Sequence, residues 1–136
     1  MTTSLLRWGA ILAFLAVAFG AFGAHVLKET LHMSSQYLEV WHTAVEYHLI
    51  HAVALLFVAL LAEKLPNAKL VQRVGGLFIA GIVIFGGSLY TLALTSLAAS
   101  GPVKILGAIT PLGGVCFLVG WALLAVAAGK TREPLR

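Results

Sequence analysis

The residues best equipped for chemistry fall in one apolar stretch. Glu46, Tyr47, His48 and His51 follow closely, with His42 one turn earlier. An imidazole titrates near neutral pH and, when neutral, binds Zn, Fe, Mn or Cu; a carboxylate joins it in both tasks. His25 lies in the preceding apolar stretch, Ser88 and Tyr90 in the following one, and Thr110, with Pro111 after it, in the last. Three chemistries are open on paper. These are a metal centre on His25, Glu46 and His51, proton-linked transport through Glu46 and His51, and nucleophilic catalysis by Ser88 with His51 and Glu46.

Spacing weighs against each of them. With His42 at zero and about 100° per residue, Glu46 sits near 40°, Tyr47 near 140°, His51 near 180° and His48 near 240°. Glu46 and His51 therefore lie on opposite sides of one helix, and any site using both needs a second helix, with His25 the obvious candidate. The run H-x3-E-x-H-x2-H matches no established ligand motif. Ser88, in Gly86-Gly87-Ser88-Leu89-Tyr90, lacks the G-x-S-x-G elbow. The expectation is no catalytic residue, no cofactor and no metal centre. The polar residues instead lock helix to helix or bind a small ligand or a lipid headgroup.

The elements that hold these residues follow from composition. The 136 residues are 60% hydrophobic and 10% charged, against about 45–50% and about 25% in an ordinary soluble domain. A chain this short has no interior large enough to hide that much apolar surface. The net charge of +4 is scattered and forms no basic face, which excludes nucleic acid as a partner. The single Cys116 excludes an intrachain disulfide.

Four stretches with at most one charge each, about 8–27, 43–62, 74–100 and 105–129, meet the roughly 20 residues that a spanning helix needs. No strand alternation is present, so the spans are helices. The chain reads as an all-α integral membrane protein, a single-domain compact four-transmembrane-helix bundle. An outer loop covers 28–42, a cytoplasmic loop 63–73 and a cytoplasmic tail 130–136. Arg7, Lys64, Lys69, Arg73, Lys130, Arg132 and Arg136 then fall on one side and only Lys28 and Lys104 on the other. That asymmetry predicts both termini in the cytoplasm. Leu65-Pro66-Asn67-Ala68 reads as a turn, Gly101-Pro102 as a tight outer hairpin, and Tyr37 and Trp41 as interfacial residues.

Lipid supplies no hydrophobic drive between helices, so small residues must let backbones approach. Ala16, Gly20 and Ala24 recur at four-residue spacing, and Gly86, Gly87, Gly113 and Gly114 are placed to do the same. Counting helix rise, His25, Glu46, Tyr47, His51, Ser88, Tyr90 and Thr110 all fall between the midplane and the outer surface. The inner half reads as apolar.

Several ordered blocks carry a resemblance. These are Gly20-Ala21-Phe22-Gly23-Ala24-His25, Glu46-Tyr47 followed by His51, Phe85-x-Gly87-Ser88-Leu89-Tyr90, Thr110-Pro111-x-Gly113-Gly114, and Gly120-Trp121. Together, over nearly the whole chain, they resemble domain-of-unknown-function family 423, the YgdD-like small four-span bacterial inner-membrane proteins related to eukaryotic transmembrane protein 256. The resemblance implies a four-helix protein of the bacterial inner membrane, and no activity carries over with it. The family pattern tends to have Ser where this chain has Gly86 and does not require His42 or His48, which weakens any site built on those two. The reading is a non-enzymatic membrane protein that contacts membrane lipid and forms a homo-oligomer. Its outer-leaflet polar cluster is His25, Glu46, Tyr47, His51, Ser88, Tyr90 and Thr110. The alternatives are a proton- or metal-linked transporter and a membrane-embedded enzyme.

Overall fold

The computed structural model describes residues 2–62, 64–65 and 67–129. Helix α1 runs Thr2–Phe22 and continues as a π-helical segment, Gly23–Thr30. Helix α2 is Ser35–Leu61. Helix α3 is α-helical over Ala68–Gly81, π-helical over Ile82–Gly86 and α-helical again over Gly87–Thr95. Helix α4 is Ile105–Gly129, with Pro111 inside it. All four are long and apolar enough to cross a membrane, and helices keep every backbone group paired where no water is present.

The helix ends differ from the sequence expectation. The segment expected as an outer loop from 28 to 42 is almost entirely helical, and the link between α1 and α2 is only Leu31–Ser34. Polar residues such as Lys28 and Glu29 reflect an environment beyond the apolar layer, where a helix continues as readily as a loop. His32 makes the reversal in the left-handed region at φ 50, which histidine tolerates better than most residues. Helix α3 stops at Thr95, not at 100. The connection before α4 is therefore longer than a tight hairpin, and the Val103 amide donates to Thr95 Oγ1 at 3.2 Å to close it. Ser34 is the N-cap of α2, in extended backbone, without a side-chain cap bond. Asn67 caps α3 by accepting from the Leu70 amide at 3.0 Å, the usual remedy for an orphan helix N–H. Pro66 and the expected tail 130–136 lie outside the described residues.

Helix α1 packs chiefly on α2, and α4 chiefly on α3, while α2 and α3 meet in the centre. Leu55, Val58, Val71, Val74 and Phe78 are the fully buried middle. Side-chain neighbours fix the vertical register. Gly9 faces Leu56, Gly20 faces Val45, Gly23 faces Trp41, Gly75 faces Leu55, and Phe78 faces Gly120. This register brings Arg7 and Arg73 to one end of the bundle and Lys28 and Lys104 to the other.

Glycine matters where helix meets helix without a gap. A Cβ on Gly113 would land on the backbone of Phe85, and one on Gly81 would enter the Phe117 ring. A Cβ on Gly120 would come within 2.6 Å of Phe78, and one on Gly23 within 2.6 Å of Trp41. Of the small residues expected to pack helices, Gly113 does so and Ala16 is fully buried. Gly87 instead faces open space, Gly114 has only Phe85 at 4.0 Å, and Gly20 and Gly86 have ordinary contacts at 3.5 and 3.6 Å; Ala24 is half-buried. Glycine is frequent in membrane helices for reasons besides contact, and spacing alone does not separate the cases.

Because backbone cannot move aside, Gly113→Ala is expected to lower the unfolding free energy by about 1–3 kcal/mol. Gly87→Ala should leave it within about 0.5 kcal/mol of the parent or raise it. Denaturation titrations in detergent micelles compare the two.

Candidate functional site

The polar side chains of the spans are divided among separate helix contacts. On α2, His51 is 4% exposed. Its Nδ1 is 2.7 Å from the Tyr47 carbonyl, one turn earlier on the same helix. A carbonyl only accepts, so the hydrogen sits on Nδ1 and Nε2 keeps its lone pair. That lone pair accepts from the Trp121 indole N–H of α4 at 3.0 Å. The ring also stacks on Phe117, centroids 3.5 Å apart. Both nitrogens are thus committed, which leaves none to bind a metal or take up a proton.

One turn toward the Lys28 end, His48 Nδ1 shares a hydrogen bond of 3.1 Å with the Tyr90 hydroxyl of α3. His48 is 3% exposed, and its Nε2 has no hydrogen-bond partner among the described residues. Phe19 and Trp41 close over the pair, with ring centroids 4.9 and 4.6 Å from that of Tyr90. Trp41, expected at the interface, is buried and donates its indole N–H to the Phe19 carbonyl of α1 at 2.8 Å. The carbonyl's second lone pair makes this bond available without breaking the helix.

Between α3 and α4 the hydroxyls of Ser88 and Thr110 lie 2.8 Å apart. Ser88 Oγ is also 2.9 Å from the Phe85 carbonyl, and Thr110 Oγ1 is 3.0 Å from the Leu106 carbonyl. Two hydroxyls carry two protons. One proton always bridges the helices and the other goes to one of the two carbonyls. The π-helical segment ends at Gly86, and this local change of pitch brings Phe85 against Gly113 beside the hydroxyl pair.

Of the seven residues expected to cluster, the structure joins Ser88 to Thr110, Tyr90 to His48, and the Tyr47 backbone to His51. It does not bring His25 and Glu46 into that group. His25 is 75% exposed at the far end of α1 and lies 3.7 Å from Glu29, its i,i+4 neighbour. Glu46 is exposed, with no hydrogen bond or ion pair to a described residue. The helix angles explain this, because α1 packs on the Val45 and Leu56 side of α2, away from Glu46. His25, Glu46 and His51 are therefore not a ligand set, and the described residues contain no group of three or more metal-ligating side chains. Ser88, His51 and Glu46 do not form a triad either.

Two residues outside the expected cluster, His48 and Trp121, complete the bonds. A tryptophan within a span needs an acceptor for its N–H, and that was the available signal for Trp121. Trp121 also packs on Phe78, ring centroids 5.0 Å apart, five residues from Arg73. The polar band thus reaches into the half expected to be apolar.

A lateral cleft of about 380 Å³ opens between α2 and α4. Tyr47 and His51 form one wall, Phe85 its back, and Pro111, Gly114 and Trp121 are among those on the other wall. Tyr47 is 41% exposed, and its hydroxyl has no partner among the described residues.

If the His51–Trp121 bond fastens α2 to α4, a double-mutant cycle of His51→Phe and Trp121→Phe should give a coupling of about 0.6 kcal/mol. It should not exceed about 1.7 kcal/mol, the range of such bonds in membrane proteins. Unfolding in detergent reads it, and additivity of the two substitutions would refute the fastening.

Comparison with known proteins agrees with a membrane protein. Residues 19–114 match the family described as "Protein of unknown function (DUF423)". The UPF0382 membrane protein YwdK of Bacillus subtilis is 52% identical over 122 residues, which is 90% of this chain and 93% of that protein. UPF0382 membrane proteins of Staphylococcus saprophyticus and Staphylococcus epidermidis are each 44% identical, over 90% of this chain and 93% and 92% of theirs. No solved structure matches. With more than half its length in the family match and such relatives along nearly all of it, the chain belongs to the DUF423 family, a four-helix membrane protein akin to the UPF0382 membrane proteins.

Proposed function

We propose that this is a non-enzymatic protein of the bacterial inner membrane whose polar side chains fasten the bundle, and whose α2–α4 cleft holds one acyl chain of a membrane lipid. Both termini lie in the cytoplasm, since the Arg7 and Arg73 end carries the greater share of Lys and Arg. The observation that supports the fastening role is the full commitment of His51, with Nδ1 on the Tyr47 carbonyl and Nε2 on the Trp121 indole. A transporter using Glu46 and His51 would need both groups on one path, and α2 turns them to opposite sides.

The cleft supports the lipid reading. Its volume of about 380 Å³ falls within the range of small-ligand pockets, about 300–1,000 Å³. Its walls are mainly apolar, and the Tyr47 hydroxyl beside them has no partner among the described residues. Tyr47 lies below the Lys28 level, so the cleft meets lipid tails and not headgroups. Any headgroup contact is left to residues nearer the helix ends.

A Cβ on Gly114 would meet only the Phe85 ring, in ordinary contact at 4.0 Å, so Gly114→Leu should fill the cleft without disturbing the helices. Native mass spectrometry after mild detergent extraction is expected to show one retained lipid on the parent protein and at least a fivefold loss on the variant. Equal retention by the two would refute the lipid reading.

A further inference from the structure

Glu46 is the one carboxylate set well within a span that the bundle leaves unused. It neighbours Val45, which faces Gly20 of α1. Gly20 is eight residues from Lys28 and thirteen from Arg7. At about 1.5 Å per residue Glu46 lies roughly 10–12 Å below the Lys28 level, too deep for its short side chain to reach either end. No described residue pairs with it, and hydrocarbon offers no hydrogen bond. A carboxyl group in that position calls for a polar partner from outside the monomer.

The face around it has the form of a helix–helix seam. Glu39, Glu46, Val53 and Leu60 recur every seven residues and are all exposed, with His42 and Phe57 beside them. Residues seven apart lie close together on one side of a helix, so these form a continuous stripe along α2. Helix α1 occupies one flank of this face and the Tyr47–His51 contact with α4 the other, so the stripe between them is uncovered. Its polar part alternates acid, imidazole, acid, so an imidazole of one copy lies within about one turn of an acid of the other.

We infer that the Glu39–Leu60 face of α2 is the interface of a homodimer, in which the Glu46 carboxyl group of each copy is hydrogen-bonded by Glu46 and His42 of the other. Two copies inserted in the same sense are related by a two-fold axis along the membrane normal, so each residue of the seam faces its own counterpart. The two carboxyl groups then share a proton, which removes the repulsion between like charges. The inference does not depend on the cleft.

Cross-linking in membranes tests it, with Cys116→Ser as background. Val53→Cys, one heptad from Glu46, is expected to form a disulfide-linked dimer at least tenfold more than Phe14→Cys on the exposed face of α1. Adding Glu46→Leu should reduce that dimer at least fivefold, while Glu46→Gln should retain it, because an amide also bonds to itself. Because Glu46 is exposed and makes no hydrogen bond or ion pair with a described residue, the unfolding midpoint of Glu46→Leu in monomeric micelles should match that of the parent. Equal cross-linking at the two positions, an unchanged dimer in Glu46→Leu, or a band linked to a different protein at Val53→Cys would overturn the proposal.

Discussion

Between lipid tails, a helix gains nothing by hiding leucine against another helix, and it loses heavily by leaving an N–H or O–H without a partner. The four helices are joined by single hydrogen bonds at their contacts, with His48 Nε2 left without a partner among the described residues. Trp41 to the Phe19 carbonyl joins α1 to α2, His48 with Tyr90 joins α2 to α3, Ser88 with Thr110 joins α3 to α4, and Trp121 with His51 joins α4 back to α2. Each bond has a close backbone approach or an aromatic stack beside it. Gly23 lies under Trp41, Gly113 against Phe85, and Gly120 against Phe78. The bonds set which faces meet, and the glycines set how closely.

This arrangement decides which chemistry remains. Histidines within a span invite thoughts of protons or metals, but His51 has no nitrogen to spare, and His48 is enclosed by Phe19, Trp41 and Tyr90. What the bundle leaves available is outward-facing. One feature is a mainly apolar cleft with a free phenol at its edge, and the other is a carboxylate on an uncovered helix face. Both look toward lipid or another membrane helix.

The sequence made the four helices legible, because uncharged runs of this length admit few other structures in a bilayer. Their ends were less so. The run from 96 to 100 is as free of charge as a span, yet the backbone turns there and passes through Gly101 at φ 78. Ser88, Thr110, Tyr90 and His51 were recognisable as buried polar groups from depth alone. Their partners were not, since a helical wheel gives angles within one helix and no azimuth between helices. The family pattern does not require His48, and the indole of Trp121 reads first as apolar bulk. Glu46 was drawn into the cluster by depth, although its angle on α2 already turned it away from His51.

The most direct test is nitrogen-15 NMR of histidine-labelled protein in lipid bilayers, with the His51 signal assigned by its loss in His51→Phe. The account predicts a neutral ring protonated at Nδ1, with an accepting Nε2 whose shift moves when Trp121 becomes Phe. A ring protonated at Nε2, an imidazolium, or a signal indifferent to Trp121 would contradict it.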